Sequence, residues 1–70
     1  MADSRTYRLT ELVGTSDTSI DEAIKSGIGK AAKTLRGLDW FEVKEIRGSI
    51  SNDNVSSFQV TMKVGFRVDD

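Results

Sequence analysis

Seventy residues with no cysteine, histidine or proline, and with ten basic against eleven acidic side chains, make one small domain of almost neutral charge. A chain this short buries only about 60% of the surface its unfolded form exposes, so small proteins of this kind usually lean on disulfides, a structural metal or other subunits. The composition excludes disulfides, offers no histidine or cysteine to a metal, and lacks the basic surface of a dedicated nucleic-acid binder, which leaves oligomerisation.

The N-terminal stretch MADSRTYRLTE carries no apolar signal-peptide core, and residues 1–5 are expected to be flexible. No apolar run approaches the ~18 residues of a membrane span, so a cytoplasmic protein is expected, without membrane contact. Tyr7 to Val13 then reads as a strand, with Tyr7, Leu9, Glu11 and Val13 on one face and Arg8, Thr10 and Leu12 on the other. Gly14 is expected to end it and TSDT to turn the chain.

Ser19 and Glu22 stand at capping-box spacing. After them Ile20, Ala23, Ile24, Gly27, Ile28, Ala31, Ala32 and Leu35 recur at helical spacing, with Lys25, Lys30, Lys33 and Arg36 off the stripe. Gly37 is expected to stop the helix in a left-handed conformation. Gly27 lies on the stripe, where it would let the helix approach a sheet closely; Gly29 has no comparable account.

A second strand is expected from Asp39 to Ser51, a turn at 52–54, and a third strand from Val55 to Val68. In the third, Phe58, Val60, Met62, Val64, Phe66 and Val68 alternate with a polar set that includes Gln59 and Arg67. The order is β-α-β-β: an α+β fold in which a three-stranded antiparallel sheet wraps around one helix. A strand of about fourteen residues extends for roughly 46 Å, whereas a helix of about 17 residues covers only about 25 Å. A sheet that outruns its helix must curl, with Gly48 and Gly65 as bends, or leave apolar surface for another subunit.

Enzyme chemistry finds little support. Without histidine or cysteine, only carboxylates such as Glu11, Glu42 and Glu45 remain as bases, and they read as solvated strand residues. GIGK, Gly27 to Lys30, lacks the strand-to-helix context of a phosphate loop. VGTS, Val13 to Ser16, runs from a strand toward a helix N-terminus, where free N–H groups favour anions, although most such turns bind nothing.

The stretch LDWFEVKEIRG is the informative one. Phe41 and Val43 form an apolar pair, while Trp40, Glu42 and Lys44 lie on the opposite, mostly polar face. Gln59 points from the polar face of the neighbouring strand. A flat ring beside an amide that both donates and accepts suits a planar heteroaromatic ligand, and Arg47 suits phosphate or ring stacking.

In ELVGTS at 11–16, LDWFEVKEIRG at 38–48 and FQVTMKVGF at 58–66, three blocks in order and at the right spacing, the chain resembles the dodecins, small flavin-binding proteins. The resemblance runs from Tyr7 to Val68. It implies a hollow homododecamer that holds flavin pairs between tryptophans of neighbouring subunits. Trp40 matches the stacking residue, Gln59 the residue that hydrogen-bonds the isoalloxazine, Asp39 an adjacent contact and Arg47 a basic position at the site mouth. It further implies that Phe41 faces the core while Trp40 stays open. Some bacterial members also hold coenzyme A, for which Lys30, Arg36 and Arg67 are the candidates here. Asp17 departs from a common proline, in a turn away from the flavin positions. The implied role is storage and sequestration of FMN or riboflavin, with quenching of its photochemistry and no catalysis. The alternatives are a flavin-dependent oxidoreductase and a coenzyme-A-carrying structural shell.

Overall fold

The computed structural model describes residues 5–68, so the expected flexible segment lies outside it except for Arg5. Strand β1 (Tyr7–Ser16), helix α1 (Ile20–Ala31), β2 (Leu38–Ser51) and β3 (Asn54–Arg67) follow in the expected order. The sheet is antiparallel throughout, with β3 between β1 and β2. Asn52 and Asp53 both take positive φ, 53° and 64°, which gives the hairpin turn the handedness that matches twisted strands.

Alternation along β3 builds the core. Val60, Met62 and Val64 are fully buried together with Ala23 of α1, and Leu12, Ile20, Ile24, Ile28 and Leu38 pack around them. The helix comes close because glycines meet it. A Cβ on Gly27 would stand 3.0 Å from Leu12 Cδ1, and one on Gly14 would run into the carbonyl oxygen of Ala23. Gly14 therefore does not end the first strand. It pairs with Val60, and β1 continues to Ser16.

The helix begins as its sequence indicates and ends early. Ser19 Oγ accepts from Glu22 N–H at 3.0 Å, while the Glu22 carboxylate lies 4.0 Å from Lys25 Nζ. The last helical residue is Ala31, and Ala32 caps it. Beyond that point Lys33 N–H bonds Lys30 O and Thr34 N–H bonds Ala31 O, a tighter winding than the α-helix. Gly37 does take a left-handed φ of 72°, but it serves the entry to β2 rather than the helix end, and its carbonyl accepts from Arg67 N–H at 3.0 Å.

The sheet outruns the helix more than expected. Twelve residues of α1 lie against strands of ten and fourteen in a subunit 58 Å long. The helix packs mainly on β1 and β3, which leaves the helix side of β2 largely uncovered beyond Leu38. Phe41 is on that side, opposite Val64, yet 48% of it is exposed, against 43% of Trp40. Phe41 thus faces the core side, as expected, but one chain does not bury it. Ile46 and Ile50 continue the bare strip at 53% and 76% exposure.

Candidate functional site

The face of the sheet away from the helix carries Trp40, Arg47 and Gln59 of the predicted site residues. Paired residues of an antiparallel ladder share a face. Trp40 pairs with Gly65, and Arg47 with Gln59, so all four belong to this outer face. A Cβ on Gly65 would stand 2.7 Å from Trp40 Nε1, with the six-membered ring closer still. The indole therefore rests on the bare backbone of Gly65. That is the glycine's role here, rather than the bend expected of it.

Simple alternation would set Arg47 on the face opposite Trp40. A β-bulge reverses this. Val43 pairs with Met62 and Glu45 with Thr61, so Lys44 is the extra residue, and it has no partner on β3. Past the bulge the odd-numbered residues of β2 face outward, which brings Glu45 and Arg47 onto the Trp40 face. Arg47 Nη1 lies 4.0 Å from Glu45 Oε1, with both side chains well exposed, a weak contact in solvent. The signal was in the sequence: apolar positions run 41, 43 and then 46, 50, a change of parity that only an inserted residue allows.

A second bulge sits at Asp39. Leu38 pairs with Phe66 and Trp40 with Gly65, so Asp39 is again the extra residue. Its Oδ2 accepts a hydrogen bond from Tyr7 Oη at 2.8 Å. Tyr7 was not singled out from the sequence, because nothing local marks a partner 32 residues away.

The structure does not bring all these groups together within one chain. Gly65, under Trp40, and Gln59, beside Arg47, are six residues apart on β3, about 20 Å at a strand's rise. The ring and the amide are on one face but not side by side, as the sequence had suggested. Of the basic candidates, Lys30 is in the last turn of α1, Arg36 in the following connection and Arg67 at the end of β3. The Arg67–Gly37 backbone bond draws the last two to the same end of the molecule. VGTS proves to be strand, and Ser16 Oγ already accepts from Thr18 N–H at 2.9 Å, so no open anion loop forms there. GIGK lies inside α1. Among the described residues no acidic cluster of metal-binding geometry occurs and no helix is long and apolar enough to cross a membrane.

A helix on one face of a three-stranded sheet, an uncovered indole on the other and a bare apolar strip along β2 define a small α+β subunit with its aromatic site on the surface. The sequence profile of the Dodecin family matches residues 6–69, and the chain belongs to that family. It is 50% identical over 66 residues to the dodecin of Thermus thermophilus, covering 94% of this chain and 96% of that one. The solved dodecin of Streptomyces davaonensis superposes with a TM-score of 0.93 at 51% identity, over 97% of this chain and all of that one. The structure of dodecin from Streptomyces coelicolor gives 0.93 at 45% identity, over 99% of each.

Proposed function

We propose that this protein binds and stores oxidised flavin, FMN or riboflavin, in the cytoplasm as a homo-oligomer, a dodecamer by family resemblance, and that it does not turn over substrate. The observation that carries the reading is the indole of Trp40, laid flat on Gly65 and still 43% exposed. A surface so flat fits an isoalloxazine ring, and stacking contributes about 0.5–1.5 kcal/mol beyond burial. The Trp40 indole, stacked on a bound flavin, would be placed to donate an electron to the excited ring, which would account for quenching.

Trp40 would cover one side of the ring, and Gln59 would supply an amide able both to donate and to accept. Arg47 would meet a phosphate or the ring edge. Their separation of about 20 Å along β3 supports a site completed by a second subunit, with Trp40 and Asp39 from one chain and Gln59 and Arg47 from its neighbour. Around a two-fold axis the same patch serves twice, so one tryptophan per chain can close both ends of a ligand stack. Coenzyme A is a second proposed ligand, with Lys30, Arg36 and Arg67 as phosphate contacts. The shared position of Arg36 and Arg67 at the Gly37 end is its support.

The test is a titration of FMN fluorescence with the wild type and with Trp40→Ala at matched native mass. The wild type should quench the emission, and the variant should bind about tenfold more weakly or worse, as expected for the loss of a stacked aromatic. Equal quenching by the two proteins would remove Trp40 from the site.

A further inference from the structure

We propose that Tyr7 is a positioning residue for the Trp40 platform, acting through Asp39. The assignment to ligand binding rests on the flavin reading above; the geometry does not. Tyr7 opens β1 and Asp39 stands near the start of β2, two strands that share no ladder because β3 separates them. Their side chains nonetheless meet across the end of the sheet, Tyr7 Oη donating to Asp39 Oδ2 at 2.8 Å.

The acceptor is not an ordinary strand residue. Asp39 is the extra residue of a bulge, without a partner on β3, so the ladder alone does not set its conformation. A bulge turns the side chain that follows it, and the residue that follows is Trp40, whose ring must land on Gly65. The phenol fixes the carboxylate, the carboxylate fixes the bulge, and the bulge aims the indole. Arg67, the partner of Tyr7, belongs to the intervening strand β3, which the bond has to span. Gly65 carries no side chain to key the ring from below, so the setting of the bulge matters for where the indole lies.

The experiment uses the full-length protein and the variants Tyr7→Phe, Asp39→Ala, Asp39→Asn and the double Tyr7→Phe/Asp39→Ala. Trp40 is the only tryptophan, so its emission, its acrylamide accessibility and its near-ultraviolet circular dichroism report the platform directly, before any flavin is added. In Tyr7→Phe the indole dichroism should fall and acrylamide accessibility rise at unchanged native mass. FMN should then bind about threefold to tenfold more weakly, the range expected for one lost hydrogen bond. The double variant should be no weaker than Asp39→Ala, because both act through one contact. Asp39→Asn keeps an acceptor and should lose less than Asp39→Ala. Unchanged indole signals in Tyr7→Phe, or additive losses in the double variant, would overturn the assignment. If the wild type binds no FMN the storage reading fails, and the flavin-free signals still decide the role of Tyr7.

Discussion

At Gly65 the missing side chain is what allows the Trp40 indole to lie flat on the sheet. Gly14 makes a useful contrast. The atom facing its absent Cβ is a backbone oxygen, that of Ala23, which cannot swing aside, so Gly14 belongs to the helix–sheet contact. The atoms facing the absent Cβ of Gly65 belong to a half-exposed side chain that has somewhere to go. Gly65→Ala should therefore displace the ring rather than the strand. Alanine in a strand is no worse than glycine, so the denaturation midpoint should correspond to a change below about 1 kcal/mol. Flavin affinity should instead fall at least about tenfold, the scale of a lost aromatic stack. Calorimetry and fluorescence titration of the same sample separate the two effects. Tight FMN binding by Gly65→Ala would show that the ligand does not use the Gly65-seated ring.

Helix α1 shows which parts of an element its sequence reveals. Its start was legible because Ser19 caps locally, and its buried side because Ala23 and Gly27 fall on the stripe. Its end was not, because Ala32 and Leu35 continue the helical pattern while the chain must turn to reach Leu38. In β3 alternation from Phe58 to Phe66 fixed the inward face; in β2 the bulge at Lys44 broke that logic and moved Arg47 to the face of Trp40. Trp40 could be read as outward-facing from its neighbours, but its distance from Gln59 could not, since it depends on register along fourteen-residue strands. Gly29, unexplained in the sequence, remains so in the fold: it is exposed, and a Cβ there would meet nothing within 4 Å. Gly29→Ala should consequently stabilise the protein by about 0.5–1 kcal/mol through helix propensity. Chemical denaturation measures it. A loss of stability would mean that another subunit approaches that turn of the helix.

One subunit leaves its second strand half-dressed. Phe41, Val43, Ile46, Ile50 and Val55 are all exposed on the described chain, and Ile20, Ile46, Ile50, Val55 and Phe58 line an apolar groove of ≈310 Å³ near the hairpin end. Monomers rarely expose such a continuous patch. The bare strip lies on the helix side of the sheet and the Trp40 platform on the other, so the two are chemically separate even though assembly links them. Ile46→Asp tests that link. A carboxylate replaces a side chain that is 53% exposed in the single chain and faces no flavin position, so the subunit fold should survive with little change in far-ultraviolet circular dichroism. Burying that charge at an apolar interface without a partner would cost several kcal/mol at each contact, enough to disperse a small assembly. Native mass should fall toward that of one or a few chains. Quenching of FMN should vanish with it, although Trp40, Gln59 and Arg47 are untouched, because no single chain places them within reach of one ring. A dispersed Ile46→Asp that still quenches FMN like the wild type would show that one chain suffices; one that stays assembled would show that this strip is not the contact holding the subunits together.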